Sequence, residues 1–515
     1  MNGRIFMTVI SQSKYKSRGY YVKKNIIYSI TYQIVNLVLK FLLRTIFIYT
    51  LGKSYLGISG VFSNILTVLS LSELGIGAAI IYDMYEPIAN NDYKQINKLM
   101  GFYKYIYTWI GIFILVVGCL LTPFLKFIIS DVPDVKFLRL IYILHVINTS
   151  SSYFFAHYRS FITANQKNYI LTINNIFFNV LKVIVEVVVL IFFHNYIIYM
   201  LVEMFVQYFS NFHILYKCKK IFPYINTKSE KIENKFVKKV LFNALSSFNI
   251  KLGGTIVNAT DNIVISAIIG TSIVGLYYNY SMIISIITAT TMLISSSAQA
   301  SVGNLCTEKN NKRKLEVFNQ LQFVYCLIYG ICLIGIIFVL NSFMNLWLGN
   351  EYVLPFHTVC LIGICCWLTG IRQPLEIYIY ADGLFEYYKY KPWIEALINL
   401  IVSIGLAIII GLDGIFIGTI ISNILTSFWY EPYVVFKRSF NTYVRLYYVN
   451  LVKYACVTIF SIILCGAIFN YINISYGIVD FIMKSFICIS VFTMLVLIFL
   501  RRNEAFYFFR FKNHK

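Results

Sequence analysis

Apolar runs of about 20 residues recur along the chain from Ile26 to Leu500, and each is long enough to cross the roughly 30 Å hydrocarbon core of a bilayer as a helix. The composition agrees, since 59% of the 515 residues are hydrophobic and only 13% are charged, far from the mixture of a soluble domain. We therefore predict an all-α polytopic membrane protein with about 14 transmembrane helices.

The connections between these runs differ in charge, and this difference predicts the topology. The first 24 residues contain no apolar run long enough for a cleavable signal peptide and no small-residue cleavage site. The predicted spans are residues 25–50, 55–84, 101–129, 137–163, 169–193, 196–216, 240–269, 274–303, 317–343, 355–382, 391–411, 415–436, 449–471 and 477–500. Lysine and arginine cluster before the first span, between the sixth and seventh spans and in the tail, and in the other connections on that side. By the positive-inside rule, both termini lie in the cytoplasm.

The net charge of +22 follows from these clusters. Basic residues beside span ends orient a membrane protein and contact anionic lipid headgroups, so we predict membrane lipids as partners and no nucleic acid. The eleven cysteines are scattered, mostly within apolar spans, with no paired CxxC spacing and no histidine cluster. We accordingly expect no disulfide, no metal site and no other cofactor.

A Gly-Lys-Ser sequence at Gly52 raises the possibility of a phosphate-binding loop. Such a loop needs a second glycine five residues earlier, where this chain has Phe47. A shift of about 218 residues instead aligns "LGKSYLG" at 51–57 with "IGTSIVG" at 269–275, and "NNDYKQINKLMG" with "KNNKRKLEVFNQ". We therefore interpret the motif as one copy of a repeated tight turn, in which glycine tolerates a positive φ.

This repeat predicts two pseudo-symmetric six-helix lobes plus two C-terminal helices. The expected boundaries are 1–224 for the N-terminal lobe, 225–440 for the C-terminal lobe and 441–515 for the additional helices and basic tail. Paired halves are typical of carriers that place a substrate site at the repeat interface and work by moving one half against the other. A carrier rather than an enzyme is the natural inference.

Polar residues fall on single faces of five predicted spans. Charges within a span are costly and usually face a protein interior or a water-filled cavity. At about 100° per residue, each of the following sets lies on one side of its helix: Gln33, Asn36, Lys40 and Arg44; Ser59, Ser63, Ser70, Glu73 and Gly77; Asn175, Asn179, Lys182 and Glu186; Asn243, Ser247, Lys251, Asn258, Asp261 and Asn262; Thr369, Arg372, Gln373, Glu376 and Tyr380.

Cations on these faces are candidates for binding an anionic substrate. No acidic residue stands three or four positions from Lys40, Arg44 or Lys251, and an excess of positive charge inside a membrane favours an anionic ligand. The predicted substrate-binding cations are Lys40, Arg44, Lys251 and Arg372. An alternative is that Lys182 with Glu186, and Arg372 with Glu376, are neutral packing pairs four residues apart.

Two further sets complete the candidate site. The predicted polar lining consists of Gln33, Asn36, Asn258, Asn262 and Gln373. The acidic candidates for coupling transport to an ion are Glu73, Asp261 and Glu376. Asparagine and serine also join transmembrane helices for purely structural reasons, so each residue has a structural alternative.

Two stretches resemble Wzx-type oligosaccharide flippases, which form the polysaccharide transporter family of the multidrug/oligosaccharidyl-lipid/polysaccharide exporter superfamily. They are "LGKSYLGISGVFSNILTVLSLSELGIGAAIIYDMYEPIANND" at 51–92 and "PWIEALINLIVSIGLAIIIGLDGIFIGTIISNILTSFWYEPYVVFKRSF" at 392–440. The resemblance implies two lobes around a cationic cavity. It also implies movement of an undecaprenyl-diphosphate-linked sugar unit from the inner to the outer leaflet of the bacterial plasma membrane, for O-antigen or capsule synthesis.

Other functions stay open. A glycan polymerase and glycosyltransferases of the same pathway are candidate partners. A cation-coupled multidrug exporter of the same superfamily would share the architecture but would need a more acidic cavity. A polytopic glycan polymerase would need a sizeable outside loop, and every predicted outside loop is short.

Overall fold

The computed structural model describes residues 18–73, 76–125, 137–226, 261–307, 310–471 and 477–501, which form helices joined by short connections and contain no β-strand. The all-α prediction is confirmed. By chain contacts the described residues up to 226 belong to one compact unit and those from 261 onward to a second. We refer to them as the first and second units.

The helices of the first unit are α1 (Arg18–Leu69), α2 (Ile76–Ala89), α3 (Tyr93–Leu121), α4 (Leu138–Tyr153), α5 (Ala156–Ala164), α6 (Asn168–Phe193) and α7 (Tyr196–Ile221). Helix α6 packs along α1 and α7, and α3 packs on α4. The core of this unit contains fully buried aromatic side chains on α3 and α5, among them Tyr103, Tyr107 and Phe161.

The helices of the second unit are α8 (Thr271–Thr307), α9 (Asn311–Phe338), α10 (Leu340–Leu348), α11 (Phe356–Ala381), α12 (Lys391–Ile410), α13 (Leu412–Leu425), α14 (Ser427–Val435), α15 (Arg445–Tyr471) and α16 (Gly477–Phe499). Short π-helical segments stand before α8, at Ile265–Ile269, and after α14, at Phe436–Phe440. Helix α12 packs against α13, α11 packs against α9, and both C-terminal helices pack on α9.

Ten helical segments are long and apolar enough to cross a membrane, and the difference from 14 predicted spans has specific causes. The first two spans form one segment, Thr31–Leu69; the fourth is divided between α4 and α5; the sixth, α7, is less apolar; and most of the seventh lies outside the described residues. Many of the most exposed side chains are apolar, such as Phe192 and Ile409. A hydrophobic exterior is what a multi-pass membrane protein requires.

The repeated glycine turn is confirmed. Gly52 has φ 83° and ψ 176°, and Gly270, 218 positions later, has φ 128° and ψ 153°. Both fall in a backbone region that only glycine readily adopts. Each interrupts the chain between one membrane-crossing segment and the next, so Gly-Lys-Ser belongs to a structural turn.

The same offset of 218 residues relates the starts of α3 and α9. The side chain of Asp92 accepts a hydrogen bond from the backbone N–H of Gln95 at 2.9 Å, and Asn310 accepts one from Arg313 at 3.1 Å. Side-chain oxygens at this position satisfy backbone donors that the first turn of a helix leaves open. The two units therefore share helix starts as well as turns.

Candidate functional site

The polar residues predicted on the first span lie on α1, with Gln33 and Lys40 exposed and Asn36 and Arg44 partly exposed. Within the described residues, no carboxylate lies within ion-pair distance of Lys40. The charges that act on Lys40 are those of Arg44, on the same helix, and Lys182 on α6. We call Lys40, Arg44 and Lys182 the basic face.

Lys182 joins the basic face to α7. Its Nζ lies 3.6 Å from Glu203 Oε1, with about a quarter of each side chain exposed. The alternative that Lys182 pairs with Glu186 on its own helix is wrong, since no ion pair joins them within 4.0 Å among the described contacts. Glu186 is instead fully buried, and neither of its carboxylate oxygens has a hydrogen-bond partner in the described part of the chain.

Other polar residues of α6 bind neighbouring helices. Asn179 donates to the Tyr32 hydroxyl on α1 at 3.3 Å. Arg159 on α5 donates to Asn175 at 3.3 Å and to Asn211 on α7 at 2.9 Å. Such bonds hold transmembrane helices together, so the predicted polar face of α6 makes contacts to three helices.

In the second unit, Arg372 lies among carboxylates. Its guanidinium donates to both oxygens of Glu431, at 3.0 Å and 2.6 Å, and to Glu395 at 3.2 Å. It also donates to Asn423 at 3.0 Å and lies 3.5 Å from Glu376. The prediction that Arg372 binds an anionic substrate is therefore not supported, because its donors are already occupied by acidic partners.

Lys391 completes this arrangement. Its ammonium lies 2.6 Å from Glu395 and 2.8 Å from Glu431, and only 5% of the residue is exposed. Tyr388 donates to Glu431 at 2.9 Å, and Ser427 donates to Glu395 at 2.9 Å. We call the five charged residues the acid–base cluster, namely Arg372, Glu376, Lys391, Glu395 and Glu431. It ties α11, α12 and α14 together with three carboxylates and two cations.

Sequence reasoning missed three of these five residues. Lys391 and Glu395 stand four apart, which is a detectable helical pair, and Glu431 precedes Pro432 within the polar end of a predicted span. What no pattern could reveal is that Arg372 meets partners 23 and 59 residues further along the chain.

The remaining predicted lining residues have mixed placements. Lys251 and Asn258 lie outside the described residues. Asn262 is buried, and its side-chain oxygen has no hydrogen-bond partner among the described residues. Gln373 accepts from Ser295 on α8 at 3.1 Å and donates to Glu376 at 3.4 Å.

The three predicted ion-coupling carboxylates occupy different surroundings. Glu73 accepts from the Tyr107 hydroxyl at 3.4 Å. Asp261 is buried and accepts from Thr419 on α13 at 3.4 Å. Glu376 belongs to the acid–base cluster. The three therefore do not form one site, and Asp261 and Glu376 remain separate candidates within the second unit.

The sequence and the fold can now be compared with known proteins. A family model described as polysaccharide biosynthesis protein matches residues 22–302, more than half of the chain. The chain belongs to this family. The match begins in α1 and continues into α8, so it includes every helix of the first unit and the basic face. A search of curated proteins found no match.

Solved structures share the fold of this family member. The lipid II flippase MurJ in an inward closed conformation has a TM-score of 0.66 and 15% identity, covering 92% of this chain and 99% of its own. An inward-facing multidrug resistance transporter of the MATE family and MOP superfamily has a TM-score of 0.62 and 14% identity, covering 78% and 94%. The Vibrio cholerae MATE transporter VcmN has 0.59 and 15%, covering 84% and 99%. At these identities the likeness establishes the fold alone.

Proposed function

We propose that the protein is a flippase of the bacterial plasma membrane. It moves an undecaprenyl-diphosphate-linked oligosaccharide from the inner to the outer leaflet by alternating access, with both termini in the cytoplasm. A family named for polysaccharide biosynthesis and a fold shared with a lipid II flippase favour a lipid-linked glycan as the cargo. Surface polysaccharide synthesis, of O-antigen or capsule, is the corresponding pathway.

The observation that carries this proposal is the basic face. Lys40 lies near Arg44 and Lys182 and has no carboxylate within ion-pair distance among the described residues. Cations held together inside a membrane protein repel one another and are costly unless an anion accompanies them. A diphosphate supplies several negative oxygens for charge-assisted hydrogen bonds. We infer that Lys40 and Arg44 bind the diphosphate, with Lys251 as a further proposed contact.

The sugar part of the cargo needs hydrogen-bonding partners during transfer. A hydroxyl without a partner in hydrocarbon costs several kcal/mol, on the order of 2–7 each. Gln33 and Asn36, on the same side of α1 as Lys40, are the proposed partners in the first unit. Asp261, Glu376 and Glu73 stay proposed ion-coupling residues, since no nucleotide-binding motif is present to supply energy.

The test uses purified protein in liposomes that contain a fluorescent undecaprenyl-diphosphate-linked oligosaccharide. Flipping is measured as the rate at which the headgroup becomes accessible to a reagent that cannot cross the membrane. We expect Lys40→Ala and Arg44→Ala each to reduce cargo affinity about tenfold or more, because a hydrogen bond to a charged group contributes about 1.5–3 kcal/mol.

The matched control is Lys94→Ala, which removes an exposed lysine in the first turn of α3 and should leave flipping unchanged. Normal flipping by both the Lys40 and Arg44 variants would contradict the proposal. Transport of a cationic drug instead of the lipid-linked glycan would favour the multidrug exporter.

A further inference from the structure

Glu186 is the most isolated acidic side chain among the described residues. It lies on α6 with no exposed surface, and neither carboxylate oxygen has a hydrogen-bond partner within the described ranges. Lys182, one turn earlier, is paired with Glu203 on α7. The basic side chain on Glu186's own helix is therefore engaged by a different carboxylate.

An ionised carboxylate in this position would be expensive. Removing a charge from water without hydrogen bonds costs far more than removing a neutral polar group, and a protein interior inside a bilayer offers no bulk water to replace them. A neutral carboxylic acid avoids most of this cost. The observed side-chain arrangement, with Lys182 directed to Glu203, is the one expected when Glu186 carries a proton.

Several charged or titratable side chains surround this position. Helices α1, α5 and α7 pack on α6, and Arg159 of α5 is engaged by Asn175 and Asn211 instead. The charged and titratable groups that act on Glu186 or on its neighbours Lys182 and Glu203 are Tyr32, Lys40 and Arg44 on α1, Lys182 on α6, Tyr199 and Glu203 on α7, and His145 on α4.

We propose that Glu186 is a proton-binding residue of the transport cycle, with the Lys182–Glu203 ion pair as the element that responds to its charge. When Glu186 is protonated, Lys182 and Glu203 neutralise each other. When the proton leaves to water, one ammonium lies between two carboxylates and the local charge falls by one. Lys182 then has a second partner, which draws it along α6 towards Glu186.

This site gives the proposed flippase a way to couple cargo to protons. The inference rests on the proposed function in one respect, since it takes an anionic diphosphate to bind at Lys40 and Arg44, close to Lys182. An anion there favours the protonated, less negative state of Glu186. By thermodynamic linkage, protonation then favours binding of the anion to the same degree.

The test is infrared difference spectroscopy on the purified full-length protein in lipid nanodiscs, without any cargo, over about pH 5 to about pH 10. A protonated carboxylic acid has a carbonyl stretching band that a carboxylate lacks. We expect such a band at neutral pH in the natural protein and its loss in Glu186→Gln. Glu203→Gln should keep the band. A spectrum without the band at neutral pH, or a band that Glu186→Gln leaves intact, would overturn the proposal.

A second variant keeps the test valid if Glu186→Gln fails to fold. Lys182→Gln removes the cation nearest to the carboxylate, so the band should persist to higher pH than in the natural protein. An unchanged pH dependence would count against the site. Because these measurements use no cargo, failure of the flippase proposal and failure of the proton site give different results. Intact flipping without the band rejects only the proton site.

Discussion

The basic face of the first unit and the acid–base cluster of the second unit both place charges within membrane-crossing helices, but they are built in opposite ways. In the acid–base cluster every charged group has an oppositely charged partner within 3.5 Å. The basic face gathers three cations, and its ion pair to Glu203 is 3.6 Å long. A saturated network holds helices together, whereas an unsaturated group of cations can accept a ligand.

The largest expected effect is on the acid–base cluster. Arg372→Met leaves three carboxylates with one cation, and breaking a buried ion pair by removing one partner costs about 3–5 kcal/mol. We expect the variant to reach the membrane poorly and to unfold at a much lower temperature in detergent. Thermal unfolding of the purified protein measures the effect.

The control for this prediction is Arg445→Met, which removes an exposed arginine at the start of α15. Replacing a buried pair by apolar residues is often neutral or stabilising, so Arg372→Met combined with Glu431→Met should recover much of the lost stability. If Arg372→Met is no less stable than the Arg445 variant, the cluster does not hold the second unit together.

A smaller effect is expected where the two units are alike, at the repeated glycine turn. No atom lies within 4 Å of where a Cβ would stand at Gly52, so Gly52→Ala is strained only through its backbone. We expect a loss of about 1–3 kcal/mol in the free energy of unfolding, measured as a shift of the thermal midpoint.

Gly405 provides the matched control. It lies inside α12, has equally open surroundings and no positive φ. Gly405→Ala should therefore stabilise the helix by about 0.5–1 kcal/mol. Equal effects of the two substitutions would mean that the turn at Gly52 tolerates a side chain, against the role assigned to both repeat copies.

The turn and the clusters also differ in how far sequence could predict them. Glycine conformation and helix capping depend on a few adjacent residues, so Gly52, Gly270, Asp92 and Asn310 could be related by a simple shift of the sequence. The apolar runs likewise predicted the helices, because burial in lipid depends on length and composition.

Partner choice between helices was not predictable in this way. Periodicity placed Lys182 and Glu186 on one face, but the ion pair actually formed is to Glu203 on the next helix. It also placed Arg372 on a polar face, without showing that α12 and α14 bring carboxylates to it. Helical phase tells which side a charge occupies, whereas the neutralising partner depends on the rotation and depth of neighbouring helices.

The smallest expected effect separates two lysines that resemble each other in sequence, since each precedes a glutamate by four positions. Lys391 is buried and contacts two carboxylates, so Lys391→Met should cost about 3–5 kcal/mol. Lys182 is a quarter exposed with one long ion pair, and partly exposed pairs contribute about 0–1 kcal/mol. Lys182→Met should therefore unfold within a few degrees of the natural protein. Thermal unfolding of both variants in the same detergent decides between them. A loss for Lys182→Met as large as that for Lys391→Met would show that the first unit also depends on its charges for folding, and the distinction between a structural cluster and a ligand-binding face would fail.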